Sequence, residues 1–312
     1  MKIVSIFYLL IYIYYTYAFS YGKIAIIGPT GKLGREFITE LNRNNVKIKI
    51  LNRHYYNTTN IDSYELIKYY NTLKNIEIIN GDINNQDSLV ELLKDCNTCV
   101  ALHGSNRITK LSDFFTYNYN DLTHPVNVNY RGIKNLIIAA NKTNKCRHII
   151  RISGNGENPF SFISIIINFF GSMTKPWNYA GEYLLRNNNY GIDYTIIRPG
   201  VMTYDDDKYF SYKLSDNGKK IPVSKISYNS IAKLCFNCIS NPNVKNTTLT
   251  AMTVKEGYGS LSWNSLLQHV NKDTKLFPHP KNIIIKHYIA NGIFSYLLFI
   301  FLYKILKYLI FV

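Results

Sequence analysis

The sequence predicts an α/β protein, a parallel sheet wound on both faces by helices, with one main domain over residues 20–280. Three observations predict it. Short apolar runs alternate with longer segments whose apolar residues recur at helical spacing. A glycine triplet, Gly28-Pro-Thr-Gly31-Lys-Leu-Gly34, stands where the first apolar run ends and the first helical segment begins. Hydrophobic residues make up 46% of the 312, enough to cover both faces of a large sheet.

The elements follow in order. Lys23 to Ile27 reads as a buried strand closed by Gly28. Gly31 to Arg43 carries Leu33, Phe37, Ile38 and Leu41 on one helical face. Val46 to Leu51 is a second strand and Ile76 to Ile79 a third. Ser88 to Lys94 is helical through Leu89, Leu92 and Leu93, and Cys99 to Leu102 is a fourth strand. Asn127 to Asn141 is a helix, His148 to Ile152 a fifth strand, Asn178 to Asn187 a helix, and Tyr194 to Ile197 a sixth strand. Such alternation gives a parallel sheet. No internal repeat is evident. Three stretches fall outside the plan: Tyr55 to Asn75, Arg107 to His124 and Asn155 to Lys175. The last two follow strands four and five, on the edge where open α/β sheets hold ligands. They are expected to build the substrate side.

The glycine triplet carries the chemistry. Gly28 permits a tight turn, Gly31 lets the backbone approach a pyrophosphate, and Gly34 lets helix and strand pack closely. The helix N-terminus then offers phosphates its free N–H groups and positive dipole end. Gly28, Thr30, Gly31, Lys32, Leu33 and Gly34 are therefore the expected phosphate cradle. It is not a Walker loop, because Lys32 is followed by Leu33 and not by Ser or Thr. Strand two ends Leu51-Asn-Arg-His54, without the carboxylate that NAD binders present to the ribose. Arg53 either pairs with a 2′-phosphate or is a solvated arginine; the first favours NADP(H) over NAD(H). Asp82 and Ile83 follow strand three, where they would border the adenine, though Asp82 could equally cap the next helix. Together these features describe a Rossmann-type doubly wound sheet with a dinucleotide as ligand.

At this point the residues carry a family resemblance. The matching pieces are Gly28-x-x-Gly31-x-x-Gly34, Asn52-Arg53, Gly81-Asp82, Asn127-Val-Asn129-Tyr-Arg-Gly132-x-x-Asn135, Ile152-Ser153-Gly154, Gly181-Glu182-x-Leu-Leu-Arg186 and Tyr194-Thr-Ile-Ile-Arg198-Pro199-Gly200. In this order they resemble the short-chain dehydrogenase/reductase superfamily, in its atypical, NmrA-like branch, over residues 22–260. The resemblance implies NAD(P) binding, a ligand site at the strand C-termini, and Pro199 and Gly200 beside the nicotinamide. It also exposes a departure. Active reductases carry a Tyr and, four residues on, a Lys on the helix after strand five; the Lys lowers the Tyr pKa and holds the ribose, and the Tyr donates the proton. Counting back from Glu182, these positions are Thr174 and Asn178. Ser153, Lys175 and Tyr179 remain as weak catalytic candidates. Other Tyr-x-x-x-Lys matches, such as Tyr130 to Lys134, fall in the wrong elements, as expected by chance with 27 tyrosines.

Two functions follow. One is an NADP(H)-binding protein without the acid/base pair, acting as redox-state sensor, scaffold or assembly factor. The other is an NADPH-dependent reductase of a small hydrophobic substrate with a different proton donor. The apolar stretch Pro159 to Met173 would roof that substrate's pocket, or else pack on the domain or touch a membrane.

The ends and the composition bound the setting. Residues 1–18 have a short positive start, an apolar core and small residues near Ala18, the pattern of a signal peptide or an uncleaved signal anchor. The segment 289–312 is apolar except for Asn291, Ser295, Lys304 and Lys307, and is expected to attach to a membrane in preference to docking on the domain. The secretory pathway, a membrane, or a plastid-like organelle reached through the secretory route fits these ends. The net charge is +16, yet no run of five basic residues occurs, so nucleic acid is not expected as a partner. A protein partner is compatible with the sensor reading. Two C-x-x-C pairs, Cys96/Cys99 and Cys235/Cys238, lie in apolar contexts and read as buried structural residues; no metal is expected.

Overall fold

The structure is a computed structural model that describes residues 22–53, 61–114, 120–205 and 210–311. The strands are β1 (Lys23–Ile27), β2 (Ile48–Asn52), β3 (Ile76–Asn80), β4 (Cys96–Ala101), β5 (His148–Ile152), β6 (Asp193–Pro199), β7 (Val201–Thr203), β8 (Phe210–Ser215), β9 (Lys225–Ser227) and β10 (Thr247–Lys255). The helices are α1 (Lys32–Arg43), α2 (Ile61–Asn71), α3 (Gln86–Leu93), α4 (Gly132–Thr143), α5 (Phe162–Phe170), α6 (Thr174–Arg186), α7 (Tyr228–Ile239), α8 (Trp263–Leu267) and α9 (Pro280–Phe311).

Eight strands form one sheet in the order β3-β2-β1-β4-β5-β6-β10-β8. All neighbours are parallel except β8, which runs antiparallel to β10. The order reverses between β1 and β4, the switch point at which such sheets bind ligands. β7 and β9 pair separately beside this edge.

Each face is covered because the helices packed on it, α1 and α7 on one side and α3, α4 and α6 on the other, present apolar stripes. On one face Leu33, Phe37, Ile38 and Leu41 of α1 pack with Ile231, Leu234, Cys235 and Cys238 of α7. On the other, Leu89, Leu92 and Leu93 of α3 pack with Ile133, Leu136 and Ile137 of α4 and Leu185 of α6. The cysteines lie inside these clusters, and burial pushes the Cys96 and Cys146 thiols up to about 12.

Four expectations need revision. The stretch from Tyr55 to Asn75 is not an insertion: α2 lies within it and makes the regular crossover between β2 and β3, with Tyr70 buried and Leu66 and Ile67 packed on the core. β4 begins at Cys96, ahead of the apolar run at Cys99, because a bulge lets Cys96 pair with Lys23 before Thr98 pairs with Ile24. The helix expected from Asn127 opens as a wider π turn over Val126–Arg131 and becomes regular at Gly132. The C-terminal helix starts at Pro280, and its first turns dock: Ile283, His287, Ala290 and Asn291 are buried. The proposed signal segment and His54 lie outside the described residues.

Candidate functional site

The glycine loop sits at the C-terminal end of β1, next to the switch point. Gly28 has φ +86°, a left-handed conformation that suits glycine, and a Cβ there would meet the His103 backbone at 2.9 Å. Gly34 lies in the first turn of α1, where a Cβ would stand 2.2 Å from the Gly28 carbonyl oxygen. Gly31 differs. It caps α1 in ordinary extended geometry, and a Cβ there would meet only the Gly28 oxygen, at 3.6 Å. It is exposed, so its open side leaves room for a phosphate at the helix N-terminus. Lys32 is exposed, with its ammonium 5.6 Å from the Tyr204 ring centre. Leu33 is buried and can offer a ligand only its backbone.

The adenosine side lies at the ends of β2 and β3. Arg53 is exposed one residue past β2, and its charge reaches across the edge of the sheet. Burial holds the His103 imidazole well below its ordinary pKa, and the Arg151 and Arg53 charges push it in the same direction. Asp82 does not cap α3. Its Oδ1 accepts from the Asn84 backbone at 2.8 Å, while Asn85 caps the helix by accepting from Asp87 and Ser88. Ile83 is buried and donates no surface but its backbone to a ligand.

The opposite end is set by β4, β5 and α6. Thr174 and Asn178 are both engaged in hydrogen bonds, Thr174 with a neutral amide and Asn178 with a guanidinium. Thr174 Oγ1 accepts from Asn129 Nδ2 at 3.0 Å, and Asn129 Oδ1 accepts from the Ser105 backbone at 3.0 Å. Asn178 Oδ1 accepts from Arg151 Nη2 at 3.1 Å. Arg151, the one charge in the apolar strand β5, is fully buried, and its Nη1 donates to the His103 carbonyl at 2.6 Å. No carboxylate lies within ion-pair distance of it among the described residues. Burial pulls its pKa down to about 10. A buried guanidinium on β5 thus lies beneath α6 at Asn178. A lone Arg among Ile residues was the available signal for this, and periodicity alone could not say what it faced.

The remaining candidates are placed as follows. The Ser153 hydroxyl is buried after β5 and forms no hydrogen bond among the described residues. Burial would raise the Glu182 pKa, but the Arg198 and Arg186 guanidiniums override this and hold it low. Arg198 Nε and Nη2 donate to Glu182 at 2.9 and 2.5 Å, and Arg198 Nη1 donates to Glu157 at 2.8 Å. Lys175 does not approach Asn178: its Nζ donates to the Asn155 carbonyl at 3.1 Å, and burial lowers its pKa. Tyr179 points to the other side of α6, where its hydroxyl donates to the Pro278 carbonyl at 2.7 Å and burial raises its pKa. Pro199 and Gly200 end β6, with the Gly200 N–H donating to Ala251 at 2.9 Å. Pro176 sits in the first turn of α6, where no backbone donor is required.

A glycine cradle at a helix N-terminus, on the switch point of a 3-2-1-4-5-6 sheet, defines a nicotinamide-dinucleotide-binding protein of the Rossmann class. The model of the NAD(P)H-binding family matches residues 28–242, and the chain belongs to that family. The chain is 24% identical over 270 residues to Protein TIC 62, chloroplastic, of Pisum sativum, covering 83% of this chain and 48% of that protein. It is 23% identical to the Arabidopsis thaliana protein of the same name, covering 83% and 40%. The chain thus spans about half the length of these relatives or less. Among solved structures, a short-chain dehydrogenase/reductase from Veillonella parvula in complex with NADP superposes with TM-score 0.54 at 14% identity, covering 75% of this chain and 95% of the other. An oxidoreductase from Lactococcus lactis does so with TM-score 0.55 at 14% identity, covering 79% and 97%. These likenesses show the fold.

Proposed function

We propose that the chain binds NADP(H) and works at a membrane as a redox-state sensor, scaffold or assembly factor, without the family's Tyr/Lys proton machinery. The observation that carries this reading is at α6. Thr174 and Asn178 stand where the resemblance puts the acid/base pair; Thr174 accepts from the Asn129 amide and Asn178 from the Arg151 guanidinium, and neither side chain is itself a titrating proton donor. The cradle at Gly28, Thr30, Gly31, Lys32, Leu33 and Gly34 would hold the pyrophosphate, Arg53 the 2′-phosphate, and Asp82 the adenine. Pro199 and Gly200 would border the nicotinamide, which supplies hydride chemistry when bound. The exposed remainder of α9 supports attachment to a membrane. The chloroplastic relatives support a plastid-like organelle, and the first 18 residues support a secretory route to it.

A second reading is a reductase of a small hydrophobic substrate. The apolar outer stripe of α5, which follows β5, is the surface such a substrate would meet first. Titration of the full chain with NADPH and NADH, followed by nicotinamide fluorescence, tests the binding. Slow NADPH oxidation with hydrophobic carbonyl and enone compounds then separates the readings. Tight NADPH binding without oxidation supports the first; saturable oxidation supports the second; no binding of either cofactor removes both.

A further inference from the structure

Helix α5 is built inside out. Its buried stripe is polar: Ser164 and Asn168, each 1% exposed, face the protein. Its outer stripe is apolar: Phe162 (71% exposed), Ile163, Ile167 and Phe170 (57%) face away from it. A helix on a water-exposed surface shows the reverse pattern. The inward polar groups are all used. Ser164 Oγ accepts from Ser161 Oγ at 2.7 Å, and Asn168 Oδ1 accepts from the Lys175 backbone at 3.0 Å. Asn168 Nδ2 donates to His287 Nδ1 at 2.8 Å, leaving His287 Nε2 to donate to the Gly156 carbonyl at 2.7 Å. Burial holds His287 neutral, as this chain of bonds requires. The polar stripe therefore locks α5 to α6 and to the base of α9, and the apolar stripe is exposed among the described residues.

This apolar stripe continues on both sides. Where α5 meets α9, Phe169 packs edge-on against Phe294 at 5.4 Å. Beyond that contact α9 exposes Tyr296, Leu297, Phe299, Phe301, Leu302 and further apolar residues on every side. At the other end of α5, the Thr109 N–H donates to the Phe170 carbonyl at 2.8 Å, which sets Ile108 (80% exposed) and Leu111 (77%) beside it.

We propose that this surface lies in the interface of a lipid bilayer, with α5, Ile108 and Leu111 buried at the headgroup–acyl boundary and the free part of α9 inserted. The proposal rests on the membrane attachment of α9 stated above. A bilayer is the occupant because of α9. Its exposed length from Gly292 to Leu309 is about 27 Å at 1.5 Å per residue, close to the thickness of the hydrocarbon core. It is apolar all round, whereas a helix meeting a protein partner on one side keeps a polar face on the other. Lys304 and Lys307 stand near its end, where lysines reach an interface, and the chain's net charge of +16 suits anionic headgroups. Because α5 follows β5, the C-terminal edge of the sheet is turned toward the bilayer. A second ligand would then enter the site from the lipid phase.

The test uses the full chain with Ile163→Cys or Phe170→Cys carrying an environment-sensitive fluorophore; the native cysteines are buried. Asn189→Cys, exposed after α6 near the opposite edge of the sheet, is the control. With phosphatidylcholine–phosphatidylglycerol vesicles, labels at 163 and 170 shift to the blue and lose most of their emission to a lipid-borne quencher, while 189 does neither. If the protein floats with the vesicles but 163 and 170 stay open to aqueous iodide, α9 is a bare tether and the proposal fails. If the labels are shielded without lipid as protein concentration rises, a second copy covers the face and the proposal fails. If the chain does not float, both the proposal and the membrane reading fail. NADPH fluorescence in the same samples reports cofactor binding independently.

Discussion

The sharpest distinction the site makes is between Gly31 and Gly34, and alanine at each tests it. At Gly34 the added methyl carbon would sit 2.2 Å from the Gly28 carbonyl oxygen and 2.7 Å from that of Pro29. Both are backbone atoms of the turn, so the β1–α1 junction must open. Overpacking of this kind costs about 1–3 kcal/mol or more. At about 2–4 °C per kcal/mol, the unfolding midpoint should fall by roughly 2–12 °C. At Gly31 φ is −67° and ψ 163°, which alanine adopts without strain, and the nearest atom is an ordinary 3.6 Å away. Gly31→Ala should leave the midpoint unchanged or raise it slightly, because the unfolded chain loses entropy. Its methyl instead occupies the approach to the helix N-terminus. Losing one charge-assisted hydrogen bond to a phosphate, about 1.5–3 kcal/mol, weakens NADPH binding by about 10- to 150-fold. Thermal unfolding without ligand and NADPH fluorescence titration read the two effects separately. A Gly31→Ala protein that binds NADPH like the wild type refutes the cradle. A Gly34→Ala protein as stable as the wild type refutes the packing argument.

Other outcomes follow from the same geometry. Arg53→Ala should weaken NADPH binding by about 5- to 30-fold, about 1–2 kcal/mol for a charge-assisted contact discounted for exposure, and leave NADH unchanged; equal losses for both cofactors would remove the 2′-phosphate role. Glu182→Gln leaves the buried Arg198 with Glu157 as its remaining carboxylate, and should cost about 3 kcal/mol, read as a fall of about 6–12 °C in the midpoint. His148 is buried and neutral, its pKa held to about 4 against an ordinary 6.5. Its folded pKa is depressed, so its contribution is intact above pH 6.5 and is lost as pH falls towards 4, on the order of 3 kcal/mol in all; urea midpoints should drop across that window and the drop should shrink in His148→Gln. Thr174→Tyr/Asn178→Lys should raise NADPH oxidation of an accepted enone by about 100-fold if the missing pair limits turnover, and no rise would place the limit elsewhere.

The amino-acid sequence by itself determined the first six strands, the crossover helices α1, α3, α4 and α6, and the glycine turn between β1 and α1. These depend on local signals: apolar runs of strand length, helical spacing in α1, α3 and α4, and glycines at a strand-to-helix turn. The family resemblance, by counting from Glu182, led to the expectation that Thr174 and Asn178 stand at the acid/base positions. The sequence could not show α2, whose helical stripe is weak and whose burial comes from packing on β2 and β3. Nor could it show that Tyr179 turns to Pro278, that Asn85 displaces Asp82 as the cap, or that Arg151 lies under Asn178. Only the tertiary structure decided these, because each depends on which groups from distant segments share a buried site, where an unpartnered polar atom is costly. The orientation of α5 has the same origin. Its sequence is apolar nearly throughout, so periodicity left its facing open; Asn168 turned inward because His287 and the Lys175 backbone offered the partners it needs.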